Sequence, residues 1–311
     1  MKPLVGFYPS PPPRIIEKAK PDDVVYEHEG KEFSLIVFGD GLVALHVVAL
    51  EPLSPGMEMD AGIANWTQYA HCLNAAHLLL DSATMREMNL AAFELYAITG
   101  QNALRRTADG GFVLPPTGDA QSKILNRYCL DPAIRATLPR VWITEDVLNV
   151  CAADLDVVLP EKELRDTLSL ISKSIAEYKT YEWETALLLS WLVVEEEIRA
   201  LWQKHIDGCD TTYTDGSKRI NADRRSNLTE SPDWSVSVVS NVLELCDALS
   251  LKCFREISQV RTWRNQIVHT KQDRYISAQE AQRAIRLAVE LAVAGRQLSI
   301  TPNLNYSLRG P

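Results

Sequence analysis

The sequence predicts an α+β protein. It has an N-terminal domain with a small antiparallel β-meander and helices, and a C-terminal all-α helical bundle. Three observations support this prediction. Short β-rich runs separated by turn residues lie between residues 24 and 50. Segments with apolar residues at helical spacing occupy most of residues 160–295. A length of 311 residues is typical of two domains, which we place at 1–158 and 159–311.

In the N-terminal domain, the pattern predicts three strands at 24–28, 33–38 and 42–50, with turns supplied by Gly30, Gly39 and Gly41. The proline-rich residues 1–20 predict an irregular arm. Apolar stripes predict helices at 65–80 and 89–98, and residues 120–154 predict mixed short elements. The role of this domain is not readable from these patterns. We expect it to sense a trigger or to restrain activity, with a regulatory partner or activator binding to it.

Composition excludes several classes of protein. The six cysteines form no Cys-x-x-Cys pair and mostly lie in apolar patterns, which favours reduced thiols and a cytoplasmic location. No Cys/His set has metal-ligand spacing, and His71 and His77 point to different faces of a helix, so we expect no metal and no cofactor. No apolar run reaches about 18 residues, and the N-terminus lacks an apolar signal region. We therefore expect neither a membrane span nor a signal peptide.

The C-terminal domain is predicted to contain four or five helices. Pro160 opens one that runs to about residue 180, and the longest and most apolar helix covers 183–205. A helix capped by Asp233 or Ser235 runs to residue 248, and another begins near Leu251. Ser277 and Glu280 have the spacing of a capping box, which predicts the start of a last helix ending near Gly295. The tail after residue 301 is expected to be loose.

The helix that begins near Leu251 carries the strongest chemical signal. Its apolar arc includes Phe254, Ile257 and Trp263, and Arg264 projects into the same arc. A buried charge needs a partner, so either Arg264 pairs with an anion or its stem packs while its head reaches water. Glu195 projects into the apolar sector of the 183–205 helix, whereas Glu196 and Glu197 point away. We therefore expect Glu195 to pair with Arg264. The alternative is a partly exposed glutamate.

The segment Arg264-Asn265-x3-His269 resembles the motif of the HEPN superfamily, which is an Arg, four to six residues and a His, often with a polar residue directly after the Arg. The resemblance covers about the last 150 residues. It implies a helical bundle that acts as a metal-independent endoribonuclease and forms a homodimer through this domain. In such proteins the two motifs meet at the subunit interface.

The resemblance also implies catalytic roles. His269 would be the general acid/base, Arg264 the phosphate and transition-state ligand, and Asn265 the positioning residue. Arg261, one turn earlier, is a second candidate phosphate ligand. On an ideal helix Arg264 and His269 lie about 140° apart, so one straight helix cannot turn both toward one phosphate. A bend near His269, or a dimer with two facing motifs, would relieve this.

Charge is distributed unevenly. The net charge of −9 argues against a protein that coats nucleic acid. From Leu251 onward, however, the chain has ten Lys/Arg and four Asp/Glu, a local balance of +6. This excess indicates either a local phosphate site or simply a basic solvent face of the last helix, formed by Arg283, Arg286 and Arg296. The polar segment 207–233 reads as a loop, and its basic residues could contact an RNA backbone or simply be solvated; they are Lys218, Arg219, Arg224 and Arg225.

The function that these patterns favour is an endoribonuclease acting on RNA, with a role as a toxin or antiviral defence effector implied by family analogy alone. One alternative is a non-catalytic HEPN-type module that dimerises or binds RNA or a nucleotide. Another is an interaction protein in which the motif occurs by chance.

Overall fold

The computed structural model describes residues 4–9, 12–50, 59–88, 95–99, 103–106, 112–113, 140–269 and 275–304. The chain divides into two compact units. Unit 1 comprises Met1–Thr180 and Gly295–Pro311, and unit 2 comprises Tyr181–Ala294. The predicted α+β class is confirmed, since a β-sheet and helices form unit 1, and the described part of unit 2 is built from helices.

Unit 1 contains a six-stranded sheet of order β3-β4-β5-β1-β6-β7 and a two-stranded parallel sheet of β2 and β8. The strands are β1 Leu4–Phe7, β2 Pro13–Arg14, β3 Val24–Glu29, β4 Phe33–Phe38, β5 Val43–Val47, β6 Leu104–Arg106, β7 Phe112–Val113 and β8 Val141–Trp142. The predicted meander is confirmed as antiparallel β3-β4-β5. Gly41 has φ +88°, a left-handed conformation that favours glycine in the turn between β4 and β5.

The prediction of an irregular arm at residues 1–20 is wrong, because this segment contains strand β1. Strand β1 is fully buried and pairs antiparallel with both β5 and β6. At Gly6 a Cβ would lie 2.7 Å from the carbonyl oxygen of Val43, so the close pairing of β1 with β5 requires glycine there. The prolines that follow β1 made this segment look irregular in the sequence, and the partners of β1, strands β5 and β6, lie far along the chain.

Three helices complete the described part of unit 1, namely α1 Met59–Met88, α2 Glu145–Val158 and α3 Lys162–Lys179. Helix α1 is longer than predicted and packs against both α2 and α3. The predicted helix at 89–98 is wrong in its last four residues, which form an irregular segment. Asn74 of α1 fixes this segment, because its Nδ2 donates to the carbonyl oxygen of Ile98 and its Oδ1 accepts from the N–H of Ile98. Residues 89–94 and 120–139 lie outside the described residues.

The division between the units differs from the predicted boundary at 158/159. Helix α3 packs on α1 and belongs to unit 1, so the division falls after Thr180. The chain also returns to unit 1 after Ala294. There Leu298, Ile300 and Leu304 are buried, and the backbone N–H of Asn303 donates to Asp81 at 3.0 Å. The described residues after 301 are therefore anchored rather than loose.

Unit 2 is a bundle in which α6, α7 and α8 all pack on the long helix α4. Its helices are α4 Trp183–Cys209, α5 Ala222–Thr229, α6 Val236–Leu245, α7 Leu251–His269 and α8 Ala278–Val293. The capping box of Ser277 and Glu280 is confirmed, with both reciprocal bonds present. No helix in the described ranges is both long enough and apolar enough to cross a membrane.

The predicted loop 207–233 contains the short helix α5, which is a further correction. Asn221 caps α5 by accepting a hydrogen bond from the backbone N–H of Arg224 at 2.9 Å. None of the residues in α5 is buried, so the helix leaves no apolar periodicity in the sequence.

Candidate functional site

Helix α7 positions the candidate site. Ser250 begins the helix, since its hydroxyl accepts a hydrogen bond from the backbone N–H of Cys253 at 3.2 Å. The residues of α7 that are buried recur at helical spacing and face the bundle; they are Cys253, Ile257, Val260 and Trp263. This stripe fixes which way the last two turns of the helix point.

Arg283 of α8 locks the end of that stripe. Its guanidinium lies 5.1 Å from the ring centroid of Trp263, a cation–π contact. The same guanidinium makes a bidentate ion pair with Glu256, with Nη2 2.9 Å from Oε1 and Nε 3.2 Å from Oε2. Arg283 therefore contacts α7 at two positions two turns apart, Glu256 and Trp263, and Trp263 directly precedes Arg264.

Arg264 directly follows Trp263, the last residue of the buried stripe, and its side chain is half-buried. Its Nη1 donates to the Oδ1 of Asn265 at 3.2 Å. Among the residues described here, no carboxylate lies within ion-pair distance of this guanidinium. Arginine presents five N–H donors, so most of them remain available to a ligand.

The predicted ion pair between Arg264 and Glu195 does not form in the described part of the chain, so this prediction is wrong. Glu195 is half-exposed, which matches the alternative considered for it. Glu197, expected to point away from the bundle, is the buried glutamate of this run, at 9% exposure. Helix α4 is covered by three other helices, so more of its circumference is buried than one apolar stripe indicates.

Asn265 and His269 are exposed and lie one turn apart on the outer face of α7. The helix runs unbroken through His269, its last residue, so no bend before that residue turns the imidazole toward Arg264. On such a helix Arg264 and His269 are separated by about 140° around the axis and about 7.5 Å along it. A single copy of α7 thus brings Arg264 and Asn265 together and leaves His269 apart from Arg264.

Arg261 occupies part of the arc between them. It is half-buried and, within the described residues, has no acidic partner at ion-pair distance. Around the helix axis the order is Arg264, Arg261, Asn265 and His269, and the exposed Val268 lies between Arg264 and Arg261. We refer to these four residues as the α7 band. It combines two guanidinium groups, which are suited to binding a phosphate, with an amide and with an imidazole, which is suited to transferring protons.

The four basic residues of segment 207–233 fall into two groups. Arg225 is committed to structure, since it pairs with Asp207 at 2.5 Å and with Asp210 at 3.3 Å. This pairing lowers the pKa of Asp207 below its ordinary value, chiefly through the hydrogen bond from Arg225. Lys218, Arg219 and Arg224 are exposed, and Arg224 donates to the backbone carbonyl of Arg219 at 3.1 Å.

Two features of unit 2 escaped the sequence reasoning. One is the contact of Arg283 with Trp263 and Glu256, for which no local pattern exists. The other is at the end of α4, where His205 and Cys209 lie one turn apart and contact each other. Their i, i+4 spacing was visible in the sequence. Within the described ranges, no three or more His, Cys, Asp or Glu residues form a group that could hold a metal ion.

Comparison with known proteins adds no assignment, since no protein-family model, curated protein or solved structure matches this chain.

Proposed function

We propose that the protein is a metal-independent endoribonuclease of HEPN type whose active site is built from the α7 band. The observation that carries the proposal is the state of Arg264. Arg264 lies near the end of a packed helix, and its guanidinium has no acidic partner among the described residues and bonds Asn265. A guanidinium with unused donors is suited to a phosphate, which it matches in a bidentate manner.

The chemistry uses the nucleophile that RNA itself carries. The 2′-oxygen attacks the adjacent phosphorus, its proton passes to a base, and the bond from phosphorus to the 5′-oxygen breaks as that oxygen gains a proton. His269 serves as the acid/base, because histidine can exchange protons near neutral pH. Arg264 and Arg261 stabilise the charge that develops on the phosphate, and Asn265 positions it. The products are a 2′,3′-cyclic phosphate and a 5′-hydroxyl.

Two copies of the chain form the site in this proposal. The separation of Arg264 and His269 around one helix supports it, because a second motif across a two-fold axis can supply the group that the first cannot turn inward. Exposed apolar side chains near the motif in sequence also support a protein contact there. Val268 is 50% exposed and Tyr275 is 85% exposed.

The role of a toxin or antiviral effector, with unit 1 receiving a regulatory signal, rests on the resemblance of the motif alone. One observation favours a second candidate function, a HEPN-type module that dimerises or binds RNA or a nucleotide without cleaving it. In a single chain His269 is directed away from Arg264, as a pure binding surface would permit.

The test is cleavage of RNA by the purified full chain in EDTA, with the new ends analysed for cyclic phosphate. The wild type is compared with His269→Ala and Arg264→Ala. Arg255→Ala is the matched control, since Arg255 is an exposed arginine of the same helix. We expect each motif substitution to slow cleavage by about 10²–10⁴-fold and the control to leave it unchanged.

The outcomes separate the two candidate functions. Cleavage that persists in His269→Ala would remove the catalytic assignment. RNA binding that Arg264→Ala abolishes, without cleavage by any form of the protein, would instead establish the binding module.

A further inference from the structure

The end of α4 brings a thiol and an imidazole together. His205 and Cys209 occupy the last turn of the helix at i, i+4, and the Sγ of Cys209 lies 3.8 Å from the Nε2 of His205. Both side chains are half-exposed, so an ion from solvent can reach them. The other described cysteines differ. Cys72, Cys151 and Cys253 are buried, and Cys246 is exposed but has no histidine beside it.

The orientation of His205 is fixed by aromatic packing. Its ring stacks on Trp202 with centroids 5.8 Å apart and planes inclined by 16°. Trp202 in turn stacks on Trp234 at 4.8 Å and donates from Nε1 to the carbonyl oxygen of Leu228 at 2.8 Å. Stacking of this kind restricts the rotation of the imidazole.

We propose that His205 and Cys209 form a binding site for a thiophilic divalent metal ion of the Zn²⁺ class. Tetrahedral Zn²⁺ with bonds of about 2.3 Å to sulfur and about 2.0 Å to nitrogen places the two ligand atoms about 3.5 Å apart. The observed 3.8 Å is close to that separation, so a small side-chain rotation suffices. The site is independent of the proposed ribonuclease chemistry, which uses neither residue.

Binding has a defined proton balance. The thiol of Cys209 releases one proton to solvent, and the thiolate and the neutral imidazole each form one bond to the metal. Affinity therefore rises with pH. The nearby Asp207 and Asp210 are engaged by Arg225, so they are not counted as ligands. Since no group of three ligand side chains occurs in the described residues, water completes the coordination and the ion is exchangeable.

The experiment titrates the tag-free full chain with Co²⁺, a spectroscopic substitute for Zn²⁺, and follows the charge-transfer absorption of a thiolate bound to cobalt. We expect the band in wild type and in Cys246→Ser, the control that removes an exposed thiol elsewhere in the described residues. Cys209→Ser should abolish the band, and His205→Ala should weaken Co²⁺ binding by at least about tenfold. Competition with Zn²⁺ should remove the band. Circular dichroism of each variant reports whether it folds.

A second measurement needs no variant. Alkylation of wild-type protein, read by mass spectrometry at each cysteine, should show Zn²⁺ protecting Cys209 and leaving Cys246 reactive. The proposal is overturned if Zn²⁺ fails to protect Cys209 selectively, or if the cobalt band survives Cys209→Ser in a folded protein. It is also overturned if His205→Ala leaves the affinity unchanged, because a thiol alone would then account for binding.

Discussion

Two sets of polar side chains in this molecule have opposite surroundings. On α1 of unit 1, three polar side chains are engaged by the chain itself. Asn74 is buried and bonds Ile98, while His71 and Arg86 are half-buried and pair with Asp166 and Asp154. In the α7 band, Asn265 and His269 are exposed, and Arg264 bonds only to its neighbour among the described residues. The first set stabilises a fold. The second is oriented by packing and remains available to a ligand.

The contrast between the two sets predicts its largest difference in stability between substitutions of Asn74 and of Asn265. Asn74→Ala should lower the free energy of unfolding by about 2–4 kcal/mol, because the buried N–H and carbonyl of Ile98 lose their partner. Asn265→Ala, on the exposed face of α7, should change it by no more than about 0.5 kcal/mol. Urea denaturation of both variants measures the difference. Equal losses would show that the α7 band is structural after all.

A pH effect sharpens the description of the buried set. Burial lowers the pKa of His77 from 6.5 to about 3, since both ring nitrogens lack partners among the described residues. The contribution that neutral His77 makes to the free energy of unfolding is therefore complete above pH 6.5 and declines as the pH falls toward 3. Burial raises the pKa of Asp81 from 3.8 to about 6, so stability from its protonated form is present below pH 3.8 and is lost as the pH rises through 6.

These two groups oppose each other between pH 7 and pH 5.5. Phe7 and Lys179 face His77, and Lys179 and the N–H of Asn303 face Asp81. Asp81→Asn keeps an acceptor for Asn303 and removes the compensating protonation. Over this interval the variant should lose about 1 kcal/mol more unfolding free energy than the wild type. Parallel pH dependence in the two proteins would show that Asp81 does not titrate in this range.

A smaller effect is expected in segment 207–233, where paired and available arginines lie side by side. If RNA follows this surface, Arg224→Ala should reduce the slope of log K against log salt by about 1. Arg225→Ala should leave that slope nearly unchanged, because Arg225 is held by Asp207 and Asp210. Fluorescence anisotropy with single-stranded RNA at several salt concentrations distinguishes the two. Identical slopes in the wild type and both variants would exclude this surface from RNA binding.

The sequence was informative where turn glycines and a helix cap gave a local signal. Glycines in the turns predicted the β3-β4-β5 meander, and the Ser277-x-x-Glu280 spacing predicted the capping box. Strand β1 could not be predicted in the same way, because its pairing depends on β5 and β6, which are distant in sequence. Nor could the domain division, which depends on α3 packing against α1.

For the candidate site, the sequence supplied the residues but not their arrangement. Periodicity placed Arg264 within the apolar arc of α7, where its side chain is half-buried, and placed His269 on another face. It misassigned the buried glutamate, because the azimuth of Glu197 on α4 gives no information about which neighbouring helices cover it. The locking of Trp263 by Arg283 is likewise a tertiary contact without a sequence pattern.

The central claim is that two copies of the α7 band form one site, with Arg264 from one chain and His269 from the other. Co-expression of Arg264→Ala and His269→Ala chains with different tags, followed by isolation of the mixed dimer, tests it. Each mixed dimer holds one intact pair in two sites, so it should cleave RNA at about half the wild-type rate, while each variant alone is inactive. An inactive mixed dimer, beside an active wild type, would contradict the shared site.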